Sequence, residues 1–69
     1  MNEDFKQGEE VKSINLDMQI KLRKGFGGVE KITVNMEDGQ MSGVPWFCVW
    51  KNGEVVDKYN GALIFSVEL

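Results

Sequence analysis

Four turn signals lie close together in this chain, and between them apolar residues alternate with polar ones. Gly25-Phe26-Gly27-Gly28, Asp38-Gly39, Asn52-Gly53 and Asn60-Gly61 each put glycine where a backbone would reverse. Glycine adopts positive φ without a steric penalty, so Asp-Gly and Asn-Gly suit the two-residue type I′ turns that join antiparallel strands. The intervening stretches show a period of two rather than the 3.6 of a helix, which makes them strands with one dry and one wet face.

Leu16, Met18, Ile20 and Leu22 share one phase, and Asp17, Gln19, Lys21 and Arg23 the other. A second run points Ile32, Val34 and Met36 inward and Lys31, Thr33 and Asn35 outward. Trp46-Phe47-Cys48-Val49-Trp50 is dense in the aromatic and β-branched residues that fit a pleated surface. The Asn52-Gly53 turn then pairs Lys51 with Glu54, Trp50 with Val55, Val49 with Val56, Cys48 with Asp57, Phe47 with Lys58 and Trp46 with Tyr59. Leu63, Phe65, Val67 and Leu69 alternate through a last strand. Pro45 cannot donate to a ladder and marks an edge, a bulge or a bend near Gly43-Val44-Pro45.

This pattern predicts an all-β fold: a small five-stranded antiparallel curved sheet or an SH3-like barrel, because closure hides edges that a flat sheet would expose. A chain of 69 residues makes one domain, 1–69, with 1–15 as an extension or a short extra strand. Glu9 to Ser13 suit that strand, and Phe5 would cap an open barrel end. A domain this short buries only about 60% of its unfolded surface, so its core is small.

Composition narrows the chemistry. There is no His and a single Cys, which removes an intrachain disulfide and a four-ligand zinc site. The usual general base at neutral pH is missing too. Cys48, set opposite Asp57 in the expected register, would have its thiol pKa pushed up and its nucleophilicity lost. The expectation is therefore no enzyme, no cofactor and no metal. The acidic, polar start lacks the basic flank and apolar stretch of an export signal, and no apolar run approaches the ~20 residues of a spanning helix. With one unpaired thiol, a cytoplasmic protein that does not enter the membrane is expected.

The stretch Ile20-Lys21-Leu22-Arg23-Lys24-Gly25-Phe26-Gly27-Gly28-Val29-Glu30-Lys31-Ile32-Thr33-Val34 resembles the YodC-like family of small bacterial proteins. These have a strand, a basic glycine-rich turn and a Met-Thr-Val strand. Cys48-Val49-Trp50 is similar to that family's Cys-x-Trp strand, and Phe65 and Leu69 to its terminal Phe and Leu. The likeness spans residues 20–34, 48–50 and 65–69. Phe26 is inserted in the turn, and Val29-Glu30 stands where the family has Pro. The resemblance implies a small curved β-sheet or barrel and no catalytic residue; a protein of bacterial or phage type is expected.

Net charge is −3, yet Lys21, Arg23, Lys24 and Lys31 face only Glu30 between residues 21 and 31. The glycine turn they flank enters a strand rather than a helix and lacks the Gly-Lys-Ser/Thr ending of a phosphate-binding P-loop. A constant register through the Asp38-Gly39 hairpin would turn Met41, Gly43, Pro45, Phe47, Val49 and Val56 to the core. Trp46, Cys48, Trp50, Val55 and Tyr59 would share the opposite face. Monomers seldom leave such an aromatic surface wet without a use for it. A bulge at Gly43–Pro45, the 1–15 segment or a partner would cover it. The expected function is a non-catalytic binding module that contacts a protein partner or a second copy through Trp46, Trp50 and Tyr59, with Lys21, Arg23 and Lys24 at the rim. The alternative is a weak single-stranded nucleic-acid binder using the basic turn and the same rings, opposed by the acidic net charge.

Overall fold

The computed structural model describes residues 5–17, 19–36 and 44–69. Its strands are β1 (Glu10–Val11), β2 (Ser13–Asn15), β3 (Lys21–Arg23), β4 (Lys31–Asn35), β5 (Trp46–Lys51), β6 (Glu54–Asn60) and β7 (Ser66–Glu68), with a 3₁₀ turn at Gly61–Leu63. The protein is all-β, as expected. The architecture differs: among the described residues there are seven strands rather than five, in two antiparallel sheets ordered β1-β4-β5-β6 and β3-β2-β7. No closed barrel forms among them, because β6 ends one sheet and β3 and β7 end the other. The Asp38-Gly39 hairpin, Met18, Met41 and Gly43 lie outside the described residues.

The chain itself links the two sheets. Val11 pairs with Ile32 in the larger sheet, and Ile14, three residues on, pairs with Leu22 and Val67 in the smaller one. At the corner between them, the Lys12 N–H donates to the Glu68 carbonyl at 2.8 Å and the Lys12 carbonyl accepts from the Lys24 N–H at 2.9 Å. Val11 and Ile14 are both buried, so this short segment supplies core from either side of its bend. Phe5 packs edge-on against Phe47, ring centroids 5.5 Å apart.

The core is Val11, Ile14, Val29, Ile32, Val34, Phe47, Val49 and Ile64. Alternation along β4 and β5 produces its centre, since Ile32 sits opposite Val49 and Val34 opposite Phe47. β7 is held to β2 by side chains as well as backbone. The fully buried Ser13 donates from Oγ to Glu68 Oε1 at 3.0 Å, and Asn15 Nδ2 donates to Ser66 Oγ at 2.6 Å.

Three local expectations need correction. The alternating run 16–22 is not one strand: Asp17 Oδ1 accepts from the Gln19 and Ile20 N–H groups at 2.7 and 2.8 Å, and folds the chain back. β2 and β3 therefore form a hairpin, and Ile20 is exposed. The Asn52-Gly53 turn has positive φ at both residues, 54° and 79°, and pairs Lys51 with Glu54 and Trp50 with Val55 as expected. Val56 is then an unpaired extra residue, and the bulge advances the register so that Val49 faces Asp57, Cys48 faces Lys58 and Phe47 faces Tyr59. Val56, expected in the core, is exposed. At the C-terminal end the 3₁₀ turn, capped by Asn60 Oδ1 accepting from the Ala62 N–H, shifts the phase of the chain. Ile64 is buried in consequence, and Leu63, Phe65 and Leu69 face outward.

Candidate functional site

The expected binding residues separate onto three surfaces. Trp46 and Trp50 stand on the outer face of the larger sheet, opposite Asn35 and Lys31, with Cys48 between them. Both rings are half-buried. The Trp50 Nε1–H donates to Thr33 Oγ1 at 2.9 Å, and the Lys31 ammonium sits 4.5 Å from the Trp50 ring centroid. This ring lies along its own sheet with its polar atom satisfied and a cation on its face.

Tyr59 is not beside them. The bulge at Val56 turns it to the inner face, where it packs against the core. Burial, and secondarily the Asp57 carboxylate, raises its phenol pKa above the ordinary 10.0. The same register shift puts Lys58 rather than Asp57 opposite Cys48, which is buried and forms no disulfide.

Lys21, Arg23 and Lys24 belong to β3 and the turn after it, in the smaller sheet. Lys24 is engaged by Glu10 at 3.1 Å. Lys21 and Arg23 instead line a cleft of about 390 Å³ with Leu22, Phe26, Gly27, Val29 and Lys51. The turn that builds one wall is tied by Gly25 N–H to the Val29 carbonyl (2.9 Å), Phe26 N–H to the Arg23 carbonyl and Val29 N–H to the Phe26 carbonyl (both 3.1 Å). Positive φ at Gly25, Gly27 and Gly28 lets it close so tightly. Phe26 is held out at its tip, 63% exposed, with the Arg23 guanidinium 5.5 Å from its ring centroid.

A second cleft, of about 520 Å³, is lined by Phe5, Gly61, Ala62, Ile64, Phe65, Ser66, Val67 and Leu69. It runs beside β7, which pairs with β2 on one side and has no strand on the other among the described residues. Phe65 and Leu69 are 69% and 65% exposed, and nearby Leu63 is 73% exposed. The apolar C-terminal alternation was legible as a strand, but not as a surface, because its phase depends on the 3₁₀ turn. Lys51 and Phe26 carried no sequence signal that would assign them to the same cleft as Lys21.

Among the described residues no group of three or more His, Cys, Asp or Glu is placed to hold a metal ion, and no helix is long and apolar enough to cross a membrane. No family model, curated protein or solved structure matches this chain.

Proposed function

We propose that this protein is a non-catalytic binding module that takes up an extended segment of another protein along the open side of β7. The observation that carries the reading is a strand edge with no partner strand among the described residues, lying beside a cleft that mixes apolar side chains with polar groups. Adding a strand to such an edge supplies backbone hydrogen bonds, and pockets for alternate side chains supply selectivity. Glu68 is the single charged residue between 61 and 69, so the fitting segment is apolar at alternate positions and carries a Lys or Arg. The half-buried Trp46 and Trp50 offer less open apolar surface than Phe65 and Leu69, which moves the proposed contact from the tryptophan face to the C-terminal cleft. The lack of His and the burial of Cys48 support the non-catalytic part. The proposal includes kinship with the YodC-like proteins, supported by the strand, glycine turn and strand from Lys21 to Asn35.

Selection of random peptides on the folded protein tests the reading. The expected winners alternate apolar residues around a basic one, shift amide signals of residues 65–69, and bind at least tenfold more weakly to a Phe65→Ser variant. Peptides that bind that variant equally well would overturn it. A concentration-dependent dimer dissolved by Phe65→Ser would also overturn it, since a second copy would then hold the edge.

A further inference from the structure

The cleft between β3 and the glycine turn is separate from the β7 edge, and its chemistry is different. Lys21 and Arg23 from β3 and Lys51 from the end of β5 meet at one concavity, and none of them has a carboxylate partner among the described residues. Two neighbouring charges are already engaged, while Glu54 stands opposite Lys51 in the ladder with no ion pair among the described residues. Lys24 is paired with Glu10, and Glu30 Oε1 accepts from the Gly53 N–H at 2.9 Å. Lys51 is set against the turn, where a Cβ on Gly28 would lie 3.9 Å from its Cδ. In a chain of net charge −3, three cations without a carboxylate partner among the described residues, one of them Arg23 over the Phe26 ring, form a local field that favours an anion.

Phe26 decides which kind of anion. An exposed ring at the tip of a turn tied by three backbone hydrogen bonds is presented in a fixed place. It offers a flat apolar face next to the cations. An acidic peptide would use the charges and leave the ring wet. A nucleotide unit uses both, with its base stacked on Phe26 and its phosphate between Lys21, Arg23 and Lys51. The geometry points to this cleft as a binding site for a phosphate-bearing aromatic ligand, supplied by single-stranded nucleic acid or by a free nucleotide. The volume of about 390 Å³ matches roughly one such unit, and an open-ended cleft lets a strand continue past it. This reading stands independently of the β7 edge.

Fluorescence anisotropy of a labelled twelve-residue oligothymidylate, titrated with the full chain, tests it. One phosphate held between the three cations gives a log–log salt slope of about −0.7 on a single strand, so a fourfold rise in salt weakens binding roughly threefold. Phe26→Ala is expected to weaken binding about tenfold through lost stacking with the thermal midpoint unchanged, because Phe26 lies outside the core. Lys51→Gln is expected to weaken binding severalfold and to flatten the salt dependence without abolishing it. Phe65→Ser should leave this binding intact, which separates it from the β7 proposal. Thymidine monophosphate competing as well as the strand assigns the site to a free nucleotide, and competition by the strand alone assigns it to single-stranded nucleic acid. No binding at low salt, equal binding by Phe26→Ala, or equal competition by polyglutamate would each overturn the inference.

Discussion

β5 and β6 are consecutive strands joined by a tight turn, and both are well supplied with β-branched and aromatic residues. Their surroundings are nonetheless opposite. From Phe47 to Val49 every residue of β5 is buried, whereas from Glu54 to Lys58 every residue of β6 is exposed. Sheet order explains this: β5 has β4 on one side and β6 on the other, and β6 ends the sheet. β propensity therefore says that a segment fits a pleated surface, and neighbours decide what that surface is worth.

The contrast predicts unequal costs for equal kinds of truncation. Phe47→Ala, at a fully buried centre, is expected to cost about 3–5 kcal/mol, a large share of a small domain's stability. Val56→Ala, on the bulge, is expected to stay within about 0.5 kcal/mol. Urea unfolding followed by tryptophan fluorescence measures both, and comparable losses would break the distinction between the strands.

Gly61, just past the end of β6, sharpens the comparison because it is the point where that arm of the hairpin becomes buried. Its N–H donates to the Pro45 carbonyl at 2.8 Å, and an added Cβ would lie 2.7 Å from that oxygen and 3.4 Å from Phe47 Cε2. Gly61→Ala is expected to cost about 1–3 kcal/mol by forcing backbone apart at the start of β5, read as a lowered thermal midpoint. An unchanged midpoint would mean that this junction yields freely.

The smallest effect concerns Tyr59, the inward-facing residue of β6. Its pKa is raised in the folded state, by burial first and Asp57 second, so the neutral phenol is the form that suits the fold. The unfolded chain loses its proton first as pH rises. This contribution to stability is therefore complete below the ordinary phenol value of 10.0 and is lost as pH climbs through the raised folded value. The thermal midpoint of the wild type should fall more steeply over that range than that of Tyr59→Phe. Parallel curves would remove Tyr59 as the titrating group.

The inner faces of β4 and β5 were readable directly, since Ile32, Val34, Phe47 and Val49 alternate and are buried. The type I′ turn at Asn52-Gly53 was equally plain. Alternation misled where a side chain competed with it. Asp17 sits in a period-two run, yet aspartate often folds onto the backbone two residues ahead, and here that ends a strand. The Val56 bulge left no trace in the pattern, because residues 57–60 alternate equally well in either register. One inserted residue was enough to part Tyr59 from the tryptophans and so to divide the expected site. The basic cleft was legible only as a charge cluster. Its third cation, Lys51, reaches it through sheet packing, and short-range pattern carries no information about that.

A flat apolar strand at the rim of a sheet is a template for fibre growth, since any passing chain can extend the ladder. β6 has the position and the valines for it, with Val55 and Val56 both open to water. It also has Glu54, Asp57 and Lys58 exposed among them and a bulge that breaks the even spacing of its donors and acceptors. A copy arriving at this rim meets charge and a misfit instead of a continuous ladder. The extra residue that displaces Tyr59 thereby also works against edge-to-edge pairing at this rim.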